Sequence, residues 1–227
     1  AVIDASGGRG GGRILVGGDY QGGNIAVQNA NVTYLGAEAT LRADASDMGN
    51  GGSVIVWADD TTRAYGKIAA RGGANGGDGG FVEVSGRRHL DFQADVTTQA
   101  PMGATGRLLL DPTNVYIASN QGNATAAGMV GTDTSVDASG PVLFQTGGTP
   151  TDSLLTVGNL QSALGSNAVT VSTASGGAGS GNIFVVDPVS WTAANDLTLS
   201  ANNNITLNAA LSGANAGIAL SGAGVSQ

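Results

Sequence analysis

The sequence has no cysteine, few aromatic residues and no basic residue after Arg107. Without thiols there is no disulfide, thiolate nucleophile, iron–sulfur cluster or cysteine-type zinc site, although that absence does not place the chain in the cytosol. Aromatics make up 4% of the 227 residues, so the sequence offers no aromatic platform for stacking sugars. No apolar run reaches the roughly 18 residues of a membrane-spanning helix. All nine Arg and Lys fall between Arg9 and Arg107, and only acidic residues follow, so a mixed-charge surface is confined to the first half. The net charge of −8 argues against nucleic acid or an anionic membrane as partner. The opening AVIDASGGRGG carries no signal peptide, from which a mature chain or an excised segment is expected.

What the chain has in abundance is glycine, 39 residues, beside 41% hydrophobic residues. Each glycine weakens a helix or strand interior, so this many belong at turns and close backbone approaches, and a helical bundle is excluded. Recurrent Val, Ile and Leu with only 11% charged residues argue equally against disorder. Apolar pairs at i, i+2 mark strands with one buried face. They are Ile14/Val16, Ile25/Val27, Leu41/Ala43, Val54/Val56, Ile68/Ala70, Val82/Val84, Leu90/Phe92, Leu108/Leu110, Val115/Ile117, Val169/Val171, Ile183/Val185, Leu197/Leu199, Ile205/Leu207 and Ile218/Leu220. Short strands separated by Gly, Asn, Ser and Asp predict an all-β fold.

Spacing narrows the class. Anchors at 54, 68, 82 and 90 recur at 169, 183, 197 and 205, a constant offset of 115 residues, and Gly66 and Gly181 occupy equivalent places. Steps near 14 residues, two to a period near 27, predict a parallel β-helix, a solenoid whose coils stack their aliphatic side chains. A β-sandwich is the rival, although the connections lack the tight two-residue turns of its hairpins. Residues 1–117 are expected to form the first coils and 167–227 the later ones of one continuous solenoid. Between them, 118–166 reads as an irregular excursion with a short helix over 157–164, where Leu160 and Leu164 stand one turn apart before Gly165. That helix is expected to cover a coil edge or a core gap. Thr198, Ser200, Thr206 and Asn208 are expected outward, and Asn202, Asn203 and Asn204 form a turn that can bond the Asn of a neighbouring coil.

Chemistry has few candidates. Carboxylates or an Arg on an outward strand face serve polysaccharide lyases and hydrolases, which directs attention to Asp59, Asp60, Asp91, Asp95, Arg87, Arg88 and His89. Asp59 and Asp60 also fit an ordinary polar turn, and His89, the only histidine, reads as a solvated surface residue that cannot build a histidine zinc site alone. Arg87 and Arg88 could grip an acidic glycan, with neighbouring carboxylates as their competing partners, and Trp191 either stacks a ligand or is buried. These three are the candidate surface-interaction residues. No catalytic, cofactor-binding or metal-ligating residue is assigned, and no cofactor is expected. The stretch RGGANGGDGGFVEVSG (71–86) fits neither a phosphate loop nor a calcium-binding repeat; it is expected to turn between two strands with Asp78 capping that turn.

Several runs resemble one family. GGSVIVWAD (51–59), GKIAARGG (66–73), DGGFVEVSG (78–86) and GRLLLDPTNVYI (106–117) are similar to the filamentous-haemagglutinin-like exported adhesins of two-partner secretion systems, as are NLQSALGSNAVTV (159–171) and WTAANDLTLSANNNITLNAAL (191–211). The resemblance implies a right-handed parallel β-helix, secreted to the surface of a Gram-negative bacterium by an outer-membrane β-barrel transporter. The Asn-Pro-Asn-Gly motif of the family's secretion domain is absent, so the rod beyond that domain is implied. A non-enzymatic structural and adhesive role follows, in cell adhesion, biofilm or filament formation. Host-cell or matrix receptors and end-to-end copies of the chain are the expected partners. The alternatives are a β-helical polysaccharide lyase or hydrolase and a passive stalk that presents a distal toxin or adhesive tip.

Overall fold

The computed structural model of the chain describes residues 1–131, 151–174 and 179–227. Strands dominate and every ladder between them is parallel. With no antiparallel ladder among the described strands there are no hairpins, and the sandwich alternative falls. A seven-stranded sheet runs the length of the molecule in the order β2 (Arg13–Val16), β5 (Ser53–Ala58), β8 (Phe81–Gly86), β11 (Arg107–Leu110), β14 (Ala168–Ser172), β17 (Leu197–Ser200) and β20 (Ile218–Ser221). A four-stranded sheet holds β1 (Val2–Asp4), β4 (Thr40–Arg42), β7 (Lys67–Ala69) and β10 (Asp95–Thr97). A three-stranded sheet holds β3 (Val32–Leu35), β6 (Thr61–Ala64) and β9 (His89–Phe92). Later in the chain come β13 (Asp152–Thr156), β12 (Asn114–Ala118), β15 (Ile183–Val185), β18 (Asn204–Leu207) and β21 (Gly224–Ser226), in that spatial order, and the pair β16 (Val189–Trp191) and β19 (Leu211–Gly213).

The chain visits the seven-, three- and four-stranded sheets in the same rotation from β5 to β10. Residues one apart in a strand therefore face opposite ways, and Val54, Val82, Leu108, Val169 and Leu197 line up inside one continuous core. The register steps along the seven-stranded sheet are uneven. Ser53 to Phe81 is 28 residues and Phe81 to Arg107 is 26, but Arg107 to Ala168 is 61 and Leu197 to Ile218 is 21. The 115-residue offset is likewise partly a coincidence of spacing. Val54 and Val169 share a sheet, whereas Ile68 lies in the four-stranded sheet and Ile183 beside β12.

Glycine explains how the layers close. Before β2, β5, β8 and β11, the N–H groups of Gly12, Gly52, Gly80 and Gly106 donate across the corner to Ala5, Ala43, Ala70 and Thr98 carbonyls at 2.7–2.8 Å. These glycines lie directly above one another, so that a Cβ on any of the last three would enter the backbone of the layer before it. Asp78 caps a turn, but in the next layer: its Oδ1 accepts from Ala104 N at 2.8 Å, while its own N–H donates to Asn50 Oδ1 at 2.8 Å. Asn204 N donates to Asn182 Oδ1 at 3.1 Å, a bond between neighbouring layers of the kind expected for that turn.

The helix expected at 157–164 is α2 (Val157–Leu164), capped by Thr156 Oγ1 accepting from Asn159 N at 3.2 Å. It packs between β10 and β16 and buries Leu160 and Leu164 completely, filling the core where a strand would otherwise lie. Asn167 Nδ2 donates to Val96 O and Asn195 Nδ2 to Leu164 O, so amide side chains replace the missing ladder. Two differences from expectation lie nearby. The expected excursion supplies β13, which pairs with β12, while part of it, residues 132–150, lies outside the described residues. Ile25/Val27 is no strand: Ala26 N and Val27 N bond back to Asn24, and Ile25 is fully exposed. A short helix α1 (Gln121–Ala126) covers Tyr116, which stacks on Phe184 at 4.5 Å. No helix among the described residues is long and apolar enough to cross a membrane.

Candidate functional site on the outer face of the seven-stranded sheet

Alternation that sends Val54, Val56, Val82 and Val84 inward sends Ile55, Trp57, Glu83 and Ser85 outward, yet all four outward residues are buried. They are covered by a strap over residues 17–23, GGDYQGG, built around a 3-10 turn at Tyr20–Gly22. Asp19 opens the turn. Its carboxylate accepts from Asn24 Nδ2 and Tyr20 N, both at 2.7 Å, and is ion-paired with Arg13, and together these hold it below the ordinary aspartate range. Gly18 and Gly22 lie against the Trp57 ring, where a Cβ would stand 2.5 and 2.6 Å from indole atoms. At the centre Gln21 adopts a left-handed backbone, φ 49°, the only such non-glycine residue among those described. In that conformation its N–H points at both Glu83 oxygens, 3.2 Å from each, and its Nε2 donates to Asp111 Oδ2 at 2.7 Å.

Glu83 has no exposed surface. Burial pushes its carboxyl up to about 7, against the Gln21 N–H, and nearby Asp111 and Asp19 add to the rise. The arrangement keeps one proton available on a carboxylic acid near neutrality, close to two other carboxylates, but under a closed strap. Among the described residues no group of three His, Cys, Asp or Glu is placed to hold a metal ion.

The residues expected from sequence lie elsewhere. Arg87 and Arg88 each face the carboxylate in the preceding layer: Arg87 Nη2 is 3.2 Å from Asp59 Oδ1 and Arg88 Nε 3.9 Å from Asp60 Oδ1. Arg87 also lies over Trp57, 5.7 Å from the ring centroid. Asp59 further accepts from Trp57 Nε1 and Asn29 Nδ2, and Asp91 accepts from Tyr65 Oη at 2.6 Å, so these carboxylates hold layers together. Asp95 sits on β10 opposite Lys67, with both exposed. Two expectations are corrected. His89 is buried, with Nδ1 3.1 Å from Asp152 O, because β13 lies against β9. Trp191 is 6% exposed, in the core below α2, with Nε1 donating to Asn195 O at 2.8 Å, so its ring is no surface feature. The structure thus brings Arg87 to Asp59 and Arg88 to Asp60, and leaves Trp191 apart from both.

Sequence reasoning missed Glu83, Asp111 and Gln21. One signal was available for Glu83, a lone acid at an outward position within the aliphatic run FVEVSG. Nothing local joins Gln21 to partners 62 and 90 residues away. No protein-family model matches the chain, and no curated protein matches it.

Proposed function

We propose that the chain is a non-enzymatic rod segment of a secreted bacterial surface protein, a right-handed parallel β-helix with coils of about 27 residues in its regular part. Its outer faces and layer ends then serve adhesion, biofilm or filament formation at the surface of a Gram-negative bacterium. The observation that carries this is the rotation of the chain through three parallel sheets in register over one continuous core, which makes a load-carrying, extendable shape. The resemblance of runs such as GGSVIVWAD and GRLLLDPTNVYI to two-partner-secretion adhesins supports the export route and its β-barrel transporter. Surfaces coated with the purified chain should retain cells or matrix protein saturably. If the chain binds neither these nor itself, the passive stalk replaces the adhesin.

The enzymatic alternative has one observation in its favour, the raised carboxyl of Glu83 beside Asp111 on an outward strand face. A polysaccharide lyase or hydrolase predicts release of reducing ends or unsaturated products that disappears in Glu83→Gln. Turnover of that kind would overturn the structural role.

A further inference from the structure

Beside the strap, the outer face holds a cleft of about 300 Å³ lined by Tyr20, Phe81, Arg107, Leu108, Leu109 and Thr170. Its walls come from four places in the chain that only folding joins: the strap, β8, β11 and β14. Tyr20 and Phe81 form a tilted pair, centroids 5.9 Å apart, and Tyr20 keeps 49% of its surface in solvent. Tyr20 is held in place, since its N–H donates to Asp19 and its carbonyl accepts from Gly23 N. The Arg107 guanidinium lies 6.0 Å over the Phe81 ring. It is exposed, and no carboxylate among the described residues pairs with it. Leu109 gives an apolar floor and half-buried Thr170 a hydroxyl at the rim.

We propose that this cleft binds a saccharide through a single terminal acidic sugar. An exposed aromatic face takes the apolar C–H face of a pyranose ring, and a few fixed polar groups set its orientation. A planar guanidinium braced on an aromatic ring takes a carboxylate through two parallel N–H donors, and Thr170 reaches a ring hydroxyl. The three carboxylates closest to the strap, Asp19, Glu83 and Asp111, are buried beneath it and leave Arg107 as the charge at the mouth. A polyanionic chain is disfavoured by the net charge of −8, whereas one carboxylate meets one cation. The volume, at the small end of ligand clefts of about 300–1,000 Å³, suits one sugar ring. The site depends neither on export nor on self-association, so its failure would leave the rod role standing.

The test is titration of the full chain with a disaccharide ending in glucuronate and with its neutral glucose counterpart, by calorimetry and saturation-transfer NMR. The acidic disaccharide should bind with at least tenfold preference, with saturation transfer strongest at the ring protons facing Tyr20. Arg107→Gln and Tyr20→Ala should each lower affinity at least tenfold with unchanged melting, and Arg9→Gln, an exposed arginine in the β1–β2 connection, should leave it unaltered. Equal binding of the two sugars, unchanged affinity in Arg107→Gln, or no saturation with the acidic sugar would each overturn the assignment.

Discussion

Replacing Gly80 by alanine tests the glycine column directly. A Cβ at this position would stand well inside van der Waals contact with Gly52 O, a backbone atom that cannot swing aside. Relief to a normal separation requires a shift of more than about 1 Å between two layers. The bonds on either side resist that shift: Gly80 N to Ala70 O at 2.8 Å, Phe81 N to Gly52 O at 2.9 Å and Arg107 N to Gly80 O at 3.0 Å. Overpacking costs about 1–3 kcal/mol, and weakening two such bonds adds about 1–2 kcal/mol, for a total of about 3–5 kcal/mol. Against a domain stability of about 5–15 kcal/mol that is a large share. The control is the same substitution at Gly158, exposed in the first turn of α2 with nothing within 4 Å of a built Cβ. There alanine should stabilise by up to about 1 kcal/mol. Urea unfolding followed by far-ultraviolet circular dichroism measures both. If Gly80→Ala lies within about 0.5 kcal/mol of the parent, the close approach of layers at this corner is not what the glycines serve.

Three further outcomes follow from buried groups. Glu83 holds its proton in the native chain up to about 7 against an ordinary 4.5. Stability is therefore full below about 4.5 and lost as pH rises to about 7, by about 3 kcal/mol, and Glu83→Gln should flatten that slope in urea midpoints measured across the window. At Asp44 burial pushes the carboxyl up, but the Arg71 side chain and N–H, both at 2.8 Å, bring it below its ordinary value. Asp44→Asn should cost about 2 kcal/mol at neutral pH, with the gap closing as the parent is acidified through that depressed value. Gly18→Ala should lift the strap from Trp57, so a red shift and gain in quenching of tryptophan emission are expected; unchanged emission would contradict the strap packing.

Alternation is a property of a few adjacent residues, which is why Val82/Val84, Leu108/Leu110 and Leu197/Leu199 were legible as strands with their burial directions. The helix was legible for the same reason: Leu160, Leu164 and Gly165 form a local signal with an apolar face and a stop. Ile25/Val27 carried the same alternation and forms no strand, because Asn24 and the flanking glycines offer the backbone a turn instead. His89 looked solvated because its neighbours in sequence are two arginines, whereas its cover comes from β13, more than sixty residues on.

The sequence by itself determined a glycine-punctuated, all-β chain with aliphatic inward columns and one helix, because those follow from side-chain period and backbone freedom. Only the tertiary structure decided which columns adjoin. The connections vary in length, so the same 14-residue step carries Ile68 and Ile183 to different sheets. The joining of Gln21 to Glu83 and Asp111, and of Tyr20 to Phe81 and Arg107, was decided there too. Such meetings depend on the registers of whole layers and on a strap folded across them, and no local pattern encodes those distances.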